Sequence, residues 1–346
     1  MHAALEAVGV LPGDEVIIPP LSVVMSTTSV LHANAIPVYA DVELDTYNLC
    51  PIDVESKITD KTKAIVVVSL YGLPANLPKL REIADKYNIA LIEDNAQCVL
   101  GTIDGQLAGS FGDFASFSFE NTKHLSCGEG GMLITDDEDL AMLCRKIGGH
   151  GFKNLRAEEG RVRLNQEVFQ NPEYKRHDIL GWNYRLSEFS AAIALAQLER
   201  VETLVDLRKK NAEIFLEVLS KYDFFMPQAT PKGFVNSYYT LGIVYTGDEQ
   251  HGVSWKKFRE TYVKNGGDGI YSSWAVTYDE PVISTGQFKK RYPEIYSNIS
   301  FEESSCKNSE YLQKRLMQFK TNYRDISLAQ EKADILELTI KQLFPK

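Results

Sequence analysis

Six short segments rich in branched and aromatic residues, at 15–18, 36–39, 64–68, 90–92, 114–119 and 132–134, are separated by stretches with helical spacing. Near-continuous apolar strands alternating with helices predict a mainly parallel sheet covered on both faces, an α/β fold. The stretch 77–87 shows the helical period most clearly, with Leu80, Ile83, Ala84 and Tyr87 on one stripe. In such a sheet ligands collect outside the carboxyl ends of the strands. Asp94 stands at such an end, directly after the run 90–93.

A second long helical pattern, marked by Ala191, Ala192, Leu195, Leu198, Val201 and Leu204, runs from Ser187 to about Arg208 and reads as a bridge between two units. Beyond it the composition changes to aromatic, strand-like segments such as 237–245, and a helix near 329–343 closes the chain. The expected division is a large unit, 1–210, and a smaller α+β unit, 211–346. The polar stretch 154–176 carries many charges without a period and reads as an exposed loop.

A net charge of −10 leaves no basic stripe for a nucleic-acid backbone, which favours small-molecule partners. The longest apolar run, near 64–73, is too short to cross a bilayer, and the amino terminus shows no basic leader. The expected location is cytoplasmic. Five widely spaced cysteines without a CxxC pair fit neither a disulfide framework nor a zinc site. Cys127 therefore reads as a packed thiol beside a loop.

The chemistry concentrates on Lys123. It follows the apolar segment 114–119, lies 29 positions beyond Asp94 and five beyond Ser118, and precedes the turn Gly128-Glu129-Gly130-Gly131. A lysine after so apolar a segment is not an ordinary surface charge. An amine, an acid at a strand end, a nearby hydroxyl and a glycine turn are parts that can hold pyridoxal phosphate.

The motifs 12–17 (PGDEVI), 93–97 (EDNAQ), the lysine segment with its glycine turn, and 181–185 (GWNYR) occur in that order. On these residues the chain closely resembles the DegT/DnrJ/EryC1/StrS family of sugar aminotransferases, a branch of the fold-type I, aspartate aminotransferase-like enzymes. The resemblance runs from Met1 to about Glu199 and more loosely beyond. It implies that Lys123 is the Schiff-base lysine and moves the proton between substrate and cofactor. It implies further that Asp94 pairs with the pyridine nitrogen, Gln97 lies near the ring and its phenolic oxygen, and Ser118 binds the cofactor phosphate. Asn183 would reach that phosphate from the neighbouring subunit of a homodimer.

The implied activity is transamination of a nucleotide-linked keto sugar with glutamate as amino donor. A non-catalytic regulatory or scaffold protein on the same fold, and another fold-type I enzyme acting on an amino acid, are the rival readings. Some relatives carry histidine in the lysine's place and act as sugar dehydratases; here His124 is adjacent, but Lys123 keeps that place. Three departures from the family pattern are visible. The chain begins inside what would be the helix after a Gly-Thr phosphate turn, Val23 stands where an aromatic residue usually covers the ring, and the stretch between the lysine loop and Asn183 is longer than usual.

Overall fold

The computed structural model describes residues 1–301 and 305–345; positions 302–304 and 346 of the expected second unit lie outside the description. Strands β1 (Glu15–Ile18), β2 (Ile36–Tyr39), β3 (Thr62–Val68), β4 (Ala90–Asp94), β5 (Phe114–Ser118) and β6 (Gly131–Ile134) form one sheet in the order β2-β1-β3-β4-β5-β6. All neighbours are parallel except β5 and β6, which run antiparallel. The fold is the mainly parallel α/β sheet expected from the sequence.

The strands are continuously apolar because both faces are buried. Val16, Ile18, Ala64, Val66, Ile92 and Phe114 enter one hydrophobic cluster, while their neighbours Ile17, Ile65, Val67 and Leu91 enter another. Alternation of side chains along a strand sends successive residues to opposite faces. On the second face lies α4 (Leu77–Tyr87), started by Asn76, whose side chain accepts the Lys79 N–H, and ended by Asn88 in the left-handed conformation. Leu80, Ile83 and Ala84 of the expected stripe are buried. Tyr87 is not: it is exposed and gives its hydroxyl to Glu55.

The single helix expected over 187–208 is two. α6 (Glu188–Leu198) begins at a Ser187 cap, and α7 (Val201–Leu219) starts anew after Glu199 and Arg200. α7 runs through position 210. Its first half packs Val201 and Val205 with Val99 and Leu125, and its second half packs Phe215, Val218 and Leu219 into another cluster. That cluster lies on an antiparallel sheet of β7 (Phe225–Pro227), β8 (Leu241–Tyr245), β9 (Tyr271–Ser272) and β10 (Leu316–Phe319), in the order β7-β8-β10-β9. A closing helix, α9 (Ile326–Leu343), covers it, buried at Ala329, Ala333, Leu336 and Ile340. Residues between these elements return to the large sheet, since Val276, Tyr278, Ile283, Phe288 and Tyr296 belong to the same cluster as Val16 and Ile92.

The expected strand 237–245 is extended only from Leu241. Tyr238 is in the left-handed region, and the segment before β8 docks on Tyr71 and Gly72 instead. Gly72, at φ +109, leaves no room for a side chain there: an added Cβ would meet the backbone nitrogens of Tyr238 and Tyr239. Ser237 N–H donates to the Gly72 carbonyl at 2.8 Å.

Candidate active site

β4 and β5 deliver the acid and the lysine to one place. Asp94 ends β4 opposite Ser116 of β5, and β5 leads through Ser118 into a loop over 119–130 that carries Lys123. The loop is closed by Phe119 N–H to the Gly130 carbonyl at 2.9 Å and Cys127 N–H to the Phe119 carbonyl at 3.0 Å. The glycine turn is therefore the return leg of a β hairpin. Gly131 faces the Phe117 carbonyl so closely that a Cβ would collide with it.

Asp94 accepts the Ala96 N–H at 3.0 Å. Burial pushes its carboxyl above the ordinary range, opposed in turn by that N–H, by the amino group of Met1, and by the Lys123 ammonium. Met1 lies in the same place, its sulfur 3.0 Å from the Ser116 hydroxyl. A buried carboxyl with a raised pKa and a cation within electrostatic reach is a common mark of a working site.

Gln97 is buried, and its Oε1 accepts the Tyr71 N–H at 2.9 Å, which leaves its two amide hydrogens as donors. It lines a cleft together with Leu21, Ser22, Tyr71, Tyr239 and Trp274. The Lys123 ammonium rests 4.8 Å from the centre of the Tyr239 ring, which connects the lysine to that cleft. Ser118 is half-buried at the strand end, where its hydroxyl accepts the Glu120 N–H at 3.3 Å.

The donor set fits pyridoxal phosphate: a buried carboxyl for a ring nitrogen, an amide donor beside it, an amine, and a hydroxyl at a strand end. Asn183 is not among these residues. It is exposed and bridges Gly149 through its main chain. Val23 is half-buried before a helix, and its neighbours Leu21 and Ser22 line the cleft.

His124 turns inward. Its Nε2–H donates to the Ser237 carbonyl at 3.0 Å, while Nδ1 is buried without a partner among the described residues. Burial and the Arg208 charge pull the imidazole down to about 3, so it is neutral across the physiological range. Cys127 is buried as expected and gives its thiol to the Glu129 carbonyl.

Sequence reading missed Tyr71, Tyr239, Trp274 and Arg208. A signal existed for Arg208. It interrupts the stripe Val201, Val205, Ala212, Phe215 and Leu219 at helical spacing, and a charge in an apolar stripe is a buried charge.

Sheet order defines an α/β transferase fold of the pyridoxal-phosphate-dependent class, and the acid, the lysine and the cleft form its candidate site at the carboxyl end of the parallel strands. A sequence model described as the DegT/DnrJ/EryC1/StrS aminotransferase family matches residues 1–314, and the chain belongs to that family. It is 35% identical over 215 residues to the GDP-perosamine synthase of Escherichia coli O157:H7, covering 62% of this chain and 54% of that protein. It is 38% identical over 239 residues to the L-glutamine:2-deoxy-scyllo-inosose aminotransferase of Streptomyces kanamyceticus, covering 68% and 54%. The chain thus spans about half the length of these curated relatives. An aminotransferase from Psychrobacter cryohalolentis has a similar structure, with TM-score 0.84 and 25% identity over 99% of this chain and 84% of that one.

Proposed function

We propose that this chain is a pyridoxal-phosphate-dependent aminotransferase that converts a nucleotide-linked keto sugar to an amino sugar with glutamate as donor. The observation that carries it is the meeting of Asp94 and Lys123 at the carboxyl end of the sheet, 29 positions apart in the chain. A nucleotide sugar is favoured over a free cyclitol by similarity to a protein named for a GDP-linked product, and the cyclitol enzyme supplies the competing substrate and donor.

Pyridoxal phosphate, when bound, supplies the electron sink into which a Cα–H bond electron pair moves. Everything else falls to the chain. The Lys123 amine takes the proton at Nζ and gives it back, and Tyr239 holds that amine when it is not engaged. Asp94 would hold the ring nitrogen and its proton, Gln97 would donate to the ring from its amide, and Ser118 would hold the phosphate.

The second subunit belongs to the same proposal. Leu180 and Phe189 are each 87% exposed, with Trp182, Tyr184, Ile193, Leu195 and Leu198 also exposed nearby in the chain. So much uncovered apolar surface fits a partner, and the partner proposed is a second copy that brings Asn183 to the phosphate. The large unit, 1–210, would hold the cofactor, and the smaller one, 211–346, would complete the cleft with Tyr239 and Trp274. Five unpaired thiols fit a reducing, cytoplasmic setting.

Borohydride reduction followed by peptide mass mapping should place the pyridoxyl group on Lys123, and another lysine in its stead would sink the assignment. A panel of nucleotide keto sugars and 2-deoxy-scyllo-inosose, each with glutamate or glutamine, then separates the substrate classes.

A further inference from the structure

Arg208 is 7% exposed and forms no ion pair with a carboxylate among the described residues. A buried guanidinium needs acceptors in place of water. Nη1 donates to the Tyr239 carbonyl at 2.6 Å and to the Thr321 hydroxyl at 3.3 Å. Nη2 donates to the carbonyls of Thr122 at 3.2 Å and Lys123 at 3.1 Å. Burial lowers the guanidinium to about 10, so it stays charged at neutral pH.

The two carbonyls held by Nη2 flank Lys123: one belongs to the peptide unit entering it, the other to the peptide unit leaving it. Gripping both fixes the direction in which the Lys123 side chain leaves the backbone. The far end of that side chain is held too. The Tyr239 ring lies 4.8 Å from Lys123 Nζ and 5.6 Å from Arg208 Cζ, and its hydroxyl is 2.9 Å from Thr122 Oγ1. Stability alone does not explain an arginine here, since an apolar residue in a packed stripe commonly stabilises as much as a buried charge. The planar fork, which reaches acceptors on two sides at once, is what a lysine or methionine lacks.

We infer that Arg208 is a positioning residue for Lys123, acting through the Thr122 and Lys123 carbonyls, with Tyr239 as the aromatic rest for the amine. This rests on the proposed role of Lys123. It also ties that lysine to the smaller unit, because Tyr239 and Thr321 belong to segments flanking β8 and β10.

The test measures where Lys123 is before it measures turnover. In cofactor-free protein, limiting acetic anhydride labels Lys123 against Lys256, whose side chain is 84% exposed, and peptide masses give the ratio. Arg208→Met should raise the Lys123 to Lys256 ratio about threefold or more. Arg208→Lys should fall between it and the parent, and Tyr239→Leu should raise the ratio as well. In the loaded enzyme Arg208→Met should lower kcat about tenfold with KM for the amino donor nearly unchanged. A folded Arg208→Met protein with the parental ratio overturns the inference. Should that variant not fold, a parental ratio in Arg208→Lys overturns it equally. If the ratios shift as expected but no pyridoxyl group appears on Lys123 and no keto substrate is aminated, the functional reading fails and the positioning inference stands.

Discussion

Two adjacent acids at the end of β4 should respond to amide substitution in opposite ways. Glu93 is fully buried and holds the loop that leads into β5. Its Oε1 accepts the N–H groups of Phe111 at 2.8 Å and Gly112 at 2.7 Å, and its Oε2 accepts Gly109 N–H at 2.6 Å and the Asn95 amide at 3.1 Å. Glu93→Gln keeps the volume but turns one oxygen into a donor. Whichever way the amide is turned, two buried donors lose their acceptor. At about 1–3 kcal/mol for each unsatisfied group, the loss is about 2–6 kcal/mol, a large share of a typical domain's stability. Asp94 has a single backbone donor, Ala96, which an asparagine oxygen still satisfies. Burial raises its carboxyl pKa, so its contribution to folding is complete below the ordinary value and is lost as pH rises through the raised one. Asp94→Asn removes that penalty. At pH 7 the cofactor-free variant should be at least as stable as the parent, yet transaminate far more slowly, because an amide cannot keep a ring nitrogen protonated. Urea unfolding of the three cofactor-free proteins, with turnover of the loaded ones, decides the matter. A Glu93→Gln protein within about 0.5 kcal/mol of the parent, or an Asp94→Asn protein that loses as much as Glu93→Gln, refutes the division of labour.

Other outcomes follow from the same geometry. His124 sits at about 3 in the fold against an ordinary 6.5, so stability is present above 6.5 and is lost as pH falls. Between pH 7 and 5 this amounts to about 2 kcal/mol, which His124→Gln should remove from the pH dependence of the urea midpoint; an unchanged dependence would contradict the buried neutral ring. Phe189→Asp combined with Ile193→Asp should yield a monomer by light scattering, and a parent protein that is itself monomeric rules out the proposed interface. Mixing Lys123→Ala chains with Asn183→Ala chains should restore activity in heterodimers, since one of the two sites then keeps both residues. No recovery from two inactive parents, with heterodimers demonstrated, means that Asn183 does not cross to the other site.

The sheet was legible because both of its faces are buried: with Ile17 and Val16 bound for opposite clusters, every position in β1 has to be apolar, and a continuous run results. Asp94 and Lys123 were legible because a charge beside such a run must have a use or a partner. What escaped depends on contacts distant in sequence. Tyr239 lies in an aromatic run that reads as strand, and only docking of 236–240 on Gly72 bends it out of the sheet and toward Lys123. Arg208 was hidden inside an otherwise regular helical stripe, since its acceptors come from residues 122, 123, 239 and 321. The break at Glu199 and Arg200 carries neither glycine nor proline to mark it.

The helix that ends at that break is α6. α6 reads Glu-Phe-Ser-Ala-Ala-Ile-Ala-Leu-Ala-Gln-Leu, apolar nearly all round, and a helix of that composition belongs in an interior. In the single chain only Ala194 of it is buried. Burying a phenylalanine or leucine side chain contributes about 1.5–3 kcal/mol, so Phe189, Ile193, Leu195 and Leu198 together offer several kcal/mol to whatever covers them. Asn183 stands just ahead of that helix, between the exposed rings of Trp182 and Tyr184. An exposed apolar helix with Asn183 close ahead of it in the chain is what the proposed shared active site calls for. If the second chain supplies the phosphate contact, the Phe189→Asp, Ile193→Asp protein should lose cofactor affinity while Lys123, Asp94 and Gln97 all remain in place. Undiminished affinity in that monomer would confine the whole cofactor site to one chain.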